Sequence, residues 1–245
     1  MTVRQTLSSL RSVLRRIWGH TLGRIALILS LIAVGFYGCV ALSFPQASVR
    51  YRMTIEVEAD GMVHTGSGVI EATYRLDPNW LPSSRHVSSG ARGEAVTVDL
   101  GSRGLLFALD RGQPGGRGFP PDLVVGAFGL MNGTGGMTRN DLRKIARLTG
   151  RLVLEPKYLP FLVRFLDPSD PRTIEQVDPS NLAATFGPGV ALKPVTIEIT
   201  TDPITRGIEK YLPWMAGPQL GRLDGSTGKQ STLASQLSSY DFKRK

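Results

Sequence analysis

Cysteine is all but absent from this sequence, with Cys39 alone among 245 residues. A lone thiol excludes an internal disulfide framework, so the fold rests on its own core. Histidine is nearly as scarce. His20, His64 and His86 have no metal-ligand spacing and no cysteine beside them, which leaves neither metal nor cofactor expected. Phosphate-loop chemistry lacks its framework as well: Gly228-Lys229 is followed by Gln230, and position 223 is Leu rather than Gly. No strand–GxGxxG–helix unit is present, and the "TGSG" stretch around Ser67 does not match the G-x-S-x-G nucleophile elbow.

Acidic residues are missing from one region only. Residues 1–24 carry Arg4, Arg11, Arg15, Arg16 and Arg24 and no Asp or Glu, so they hold five of the nine net positive charges. The rest is close to balanced, which argues against a nucleic-acid surface. The basic character is instead a topology signal.

From Ile25 to Phe44 the sequence has 20 residues without a charge. As a helix this run is about 30 Å long, the thickness of the hydrocarbon layer. With the denser positive charge before it, the positive-inside rule predicts an N-terminus in the cytoplasm and a main domain in the periplasm, at the bacterial inner membrane. Competing fates are cleavage after Ser43 and lipidation at Cys39. The length of the run, the bulky Phe36-Tyr37 and the apolar residues after Cys39 favour an uncleaved signal anchor. Gly35, Gly38 and Cys39 then form a small-residue notch, a candidate docking face for another membrane helix. Upstream, Leu7, Leu10, Val13, Leu14, Ile17 and Trp18 fall near one helical face. This predicts an amphipathic segment with Trp18 at headgroup depth and Arg15 and Arg16 near anionic lipid.

The remainder reads as a β-rich α+β domain of antiparallel hairpins with a few short helices. The expected division is a basic cytoplasmic segment at 1–24, a transmembrane helix at 25–44, a periplasmic domain at 45–225 and a polar tail at 226–245. Val49 to Glu58 alternates apolar and polar with period two, and Asp60-Gly61 follows as a hairpin signal. "TGSG" at 65–68 predicts a bulge in the return strand. Residues 77–93 read as a polar loop. A second hairpin is expected around "GSRG", with Val96, Val98 and Leu100 answered by Leu105, Phe107 and Leu109. "TRNDLRKIARLTG" predicts a helix starting near Asn140 or Asp141. "DPSNLAATFGPG" predicts a short helix capped by Asp178 or Ser180 and stopped at Gly187. Val195, Ile197 and Ile199 mark a strand, and Asp202-Pro203 predicts the start of a helix. Asp-Pro recurs at 77–78, 167–168, 170–171, 178–179 and 202–203, a pairing suited to closing one element and opening the next.

The stretches "YRMTIEVEADG", "GEAVTVDLGSRGLLFAL", "LVRFLDPSDPRTIEQVDPSNLAATFGPGVALKPVTIEITTDPITRGIEKYLPWM" and "LASQLSSYDF" resemble a group of uncharacterised proteobacterial proteins with a membrane segment and a periplasmic domain. The resemblance implies export and one domain type, and it carries no catalytic or binding residue.

The functional expectation is a binding or accessory domain held at the inner membrane, a subunit of an envelope or membrane complex. Its expected partners are membrane lipid and, through the spanning helix or outer domain, other membrane-protein subunits. The rival is a carboxylate-dependent enzyme acting on a glycan or peptidoglycan, for which Glu56 and Glu58 on one strand face are the nearest pair.

Overall fold

The computed structural model describes residues 23–35, 45–76, 87–112, 120–130, 137–228 and 231–244. The chain divides into two units, Met1–Pro45 and Gln46–Lys245. In the first, residues 23–35 are helical (α1), and Ile25, Leu27, Ile28, Leu29, Leu31, Ile32 and Val34 are all exposed. No helix among the described residues is long and apolar enough to cross a membrane. Trp18, Arg15, Arg16, Gly38 and Cys39 lie outside the described residues, as does the second half of the uncharged run. Gly35, the last described residue of α1, is exposed.

The second unit is α+β and rich in antiparallel sheet, as its alternation predicts. Its strands are β1 (Gln46–Ala59), β2 (Met62–Leu76), β3 (Val87–Glu94), β4 (Val96–Asp99), β5 (Leu105–Gly112), β6 (Arg151–Val153), β7 (Pro160–Phe165), β8 (Ile174–Gln176), β9 (Ala191–Leu192), β10 (Thr196–Thr200) and β11 (Lys243–Arg244). Among the described residues, four helices accompany them: α2 (Pro120–Ala127), α3 (Arg139–Ala146), α4 (Ala183–Phe186) and α5 (Leu233–Gln236). The larger sheet runs β11-β3-β2-β1-β10-β6, with β9 also paired to β1, and the smaller runs β4-β5-β7-β8.

The β1–β2 hairpin is the frame. Asp60 and Gly61 both have positive φ, 53° and 73°, as a two-residue turn of this hand requires. Every second residue of β1 from Ala47 to Ala59 is buried, which places that face on the core. The bulge expected at "TGSG" does not form: pairing runs in register from Ala59↔Met62 to Gln46↔Arg75. The glycines serve close approach instead. A Cβ on Gly66 would overlap the Thr97 carbonyl, and one on Gly68 would meet the Val96 side chain, both on β4.

Residues 87–93, expected as loop, form most of β3, which pairs with β2 from Glu71↔Arg92 to Leu76↔Val87. The chain then passes through Gly93 and Ala95 into β4 of the smaller sheet, so one run of backbone serves both sheets. The second hairpin exists, but its faces differ from expectation. Val96 and Val98 stand opposite Ala108 and Leu106, and these four join the first core, whereas Phe107 and Leu109 join the second. Both faces of the smaller sheet are buried, and that is why the alternation was ambiguous.

The first core lies between the inner face of the larger sheet and one face of the smaller. Leu123 and Val124 of α2 and Leu142 and Ile145 of α3 complete it. Tyr74 Oη donates to the Pro121 carbonyl at 2.6 Å and fixes α2 to β2. α3 begins at Thr138, whose hydroxyl accepts from Asp141 N while Asp141 accepts from Thr138 N. The second core lies on the other face of the smaller sheet and includes Leu212, Leu223, Ala234, Leu237 and Phe242. The segment expected as a polar tail is therefore part of the domain, and Phe242 is fully buried against Phe165 and Trp214.

The Asp-Pro pairs work as punctuation at three places. Asp167, Asp170 and Asp178 each accept from the backbone N–H two residues on, at Ser169, Arg172 and Ser180. Asp178 thus closes a turn rather than capping α4; Asn181 accepts from Ala184 N there, and Gly187 ends the helix with φ 95°. No helix starts at Asp202, whose carboxylate pairs with Arg52 across the sheet. Short 3-10 turns at Ile208–Lys210 and Pro213–Ala216 take the place of the expected helix.

Candidate functional site: a polar cleft across the first three strands

The outer face of the larger sheet is polar, and strand register sets the order of its side chains. Gln46, Arg75 and Ser88 form one row across β1, β2 and β3, and Ser48, Thr73 and Gly90 form the next. Arg50, Glu71 and Arg92 form the third. The first two rows, with Glu71 and Arg92 of the third, line a cleft of about 630 Å³, within the size range of small-molecule sites. Gly90 keeps the middle of the third strand low. A Cβ there would stand 3.2 Å from Thr73 Oγ1, whose hydroxyl donates to the Gly90 carbonyl.

Glu71 organises the charged row. Its side chain is 7% exposed, whereas those of Arg50 and Arg92 are 38% and 52% exposed. Arg50 Nε donates to Oε1 at 3.0 Å, and Arg92 Nε donates to Oε2 at 2.9 Å. Burial on its own pushes this carboxyl up, but the hydrogen bonds from Arg92 and Arg50 outweigh it and hold Glu71 below its ordinary value. The carboxylate is therefore ionised at neutral pH and fixes two guanidinium groups. Arg75 and Arg92 are the two cations of the lining and Glu71 is its one carboxylate. The Thr201–Asp202 segment lies beside this row, where Arg50 Nη1 donates to the carbonyls of both residues.

Hydroxyls, an amide and arginine N–H groups dominate the lining. That set recognises oxyanions and polyhydroxylated groups rather than apolar ones. None of these residues stands out in the sequence as a motif. One signal pointed to them. A two-residue turn at Asp60-Gly61 with unbroken pairing forces Arg50 opposite Glu71 and Gln46 opposite Arg75, but the expected bulge obscured that register.

The other candidates are accounted for locally. Glu56 and Glu58 share the outer face, and Glu58 pairs with Lys193. Glu94 and Glu209 are brought together around Lys243, whose Nζ lies 2.9 Å from Glu94 Oε1; Glu94 Oε2 accepts from Ile208 N. Lys243 holds the Glu209 carboxyl low, opposite to what a general acid needs. Among the described residues, every carboxyl with a displaced acidity is displaced downward. His64 donates from Nδ1 to the Asp99 carbonyl at 2.8 Å, and Ser67 stands exposed opposite Thr54. His20 and His86 lie outside the described residues. Among the described residues, no three His, Cys, Asp or Glu gather as a metal cluster.

No family model, curated protein or solved structure matches this chain.

Proposed function

We propose that this chain is a membrane-anchored binding module: a single-pass inner-membrane protein whose outer domain presents the cleft to an anionic or hydroxyl-rich ligand and serves as an accessory subunit of an envelope complex. The observation that carries the reading is the cleft's composition: Arg75, Arg92 and several hydroxyls line it together with one buried, ionised carboxylate, Glu71. Such a group of fixed donors binds oxyanions without needing a proton transfer of its own. The anchor follows from the uncharged run at 25–44 and the arginines before it. The exposed leucines and isoleucines of α1 support it, because a helix apolar on every side calls for a non-aqueous surrounding. The rival carboxylate enzyme requires one carboxyl held protonated near neutral pH, and the displaced carboxyls above are all driven the other way.

Membrane fractionation with an alkaline carbonate wash, followed by protease treatment of spheroplasts, tests the reading. A washed membrane should retain the chain at full intact mass, and external protease should digest the domain. Recovery in the soluble fraction, or full protection from external protease, contradicts it.

A further inference from the structure

We infer that the cleft holds the phosphate headgroup of an anionic membrane lipid. This rests on the anchored reading above. Gln46 both lines the cleft and opens β1, and Pro45 alone separates it from Phe44, the last residue of the segment read as the membrane span. Two residues of chain reach about 7 Å at most, so an anchored chain keeps this end of β1 within headgroup reach of the bilayer. Arg75 and Ser88 stand in the same row as Gln46. The cleft's cations are therefore presented where phosphate is concentrated, which raises the effective concentration of a weak ligand.

The chemistry fits a headgroup better than a whole lipid. Arginine N–H groups and serine or threonine hydroxyls donate to phosphate oxygens and to a glycerol hydroxyl. The lining offers no wide apolar wall for acyl chains, which stay in the bilayer. Glu71 has a supporting part. With Arg92 fixed on one oxygen of Glu71 and Arg50 holding the other, the Arg92 guanidinium plane is set before the phosphate arrives.

The test uses the full chain in a neutral detergent, with lipid retention read by native mass spectrometry. Phosphatidylglycerol should be retained at least tenfold more than phosphatidylcholine. Arg75→Gln should lower phosphatidylglycerol retention about fivefold, the factor for one cation at an anionic surface. Arg172→Gln, at an exposed arginine outside the cleft lining, should leave it unchanged. Ser88→Asp adds a negative charge to the lining and should lower retention as well, so the test survives a poorly folded Arg75 variant. Equal retention of both lipids, or wild-type retention by both cleft variants, overturns the proposal. Glycerol phosphate that binds lipid-free protein as tightly as phosphatidylglycerol also overturns it, by assigning the cleft to a soluble anion. The carbonate wash reports anchoring separately. A chain that stays in the membrane yet fails the lipid test loses this inference alone, and a chain found in the soluble fraction loses the anchored reading with it.

Discussion

Arg50 and Glu71 face each other across the first hairpin, Nε to Oε1 at 3.0 Å, and the carboxylate is the buried member of the pair. Its other oxygen accepts from Arg92, so removing the carboxylate leaves two cations crowded on one face. Glu71→Gln should cost roughly 1–3 kcal/mol, below the figure for a fully buried ion pair because both arginines are partly solvated. Thermal unfolding of the full chain in neutral detergent measures it, and an unchanged midpoint contradicts the assignment.

The same pair predicts a pH dependence. The folded carboxyl lies below its ordinary value of 4.5. Its contribution is therefore fully present above about pH 4.5 and is lost as the pH falls through the lower folded value. The stability gap between wild type and Glu71→Gln should be constant from pH 7 to 5 and shrink below 4.5. A gap that widens in acid reverses the sign of the assignment.

Gly66→Ala should destabilise the domain by about 1–3 kcal/mol or more, since the new methyl meets backbone rather than a side chain that can move aside. Gly61→Ala meets no atom within 4 Å and strains only a turn with φ 73°. Its cost should be near 1 kcal/mol. Unfolding midpoints of the two variants, compared directly, decide whether close approach or turn geometry explains the strand glycines.

Phe242→Ala should cost about 3–5 kcal/mol, as for other fully buried aromatic side chains. Ala95 N also donates to the Phe242 carbonyl at 2.8 Å, so deleting residues 237–245 removes backbone pairing as well as the ring. The deleted chain should lose cooperative unfolding. A truncated protein that melts like wild type contradicts the placement of this segment in the core.

Much of the frame was legible because local rules and tertiary packing agree there. Val49 to Val57 alternates cleanly since one face of β1 meets the core and the other meets water, and Asp60-Gly61 suits the turn it makes. The misreadings share a physical cause, a partner distant in sequence. β3 is poor in apolar residues and holds its place through β2 and Lys243 of β11. Asp202 carries a good helix-start signal, but Arg52, 150 residues earlier, takes its carboxylate. The C-terminal segment reads as a tail because Leu237 and Phe242 are sparse among polar residues, yet those two insert into the second core. The cleft was hidden for a related reason. Its residues are ordinary on each strand and acquire meaning from register, which one extra residue would have turned to the other face.

An anchored chain holds Gln46, and with it Ser88 of the same row, within headgroup reach of the bilayer. A spin label at position 88, in a Cys39→Ser chain reconstituted into phosphatidylglycerol vesicles, tests this most directly. A headgroup-attached nickel chelate should relax this label strongly, and the same chain in detergent without vesicles should show no such relaxation. An unrelaxed label at 88 in the vesicles would contradict the placement of the cleft at the headgroups.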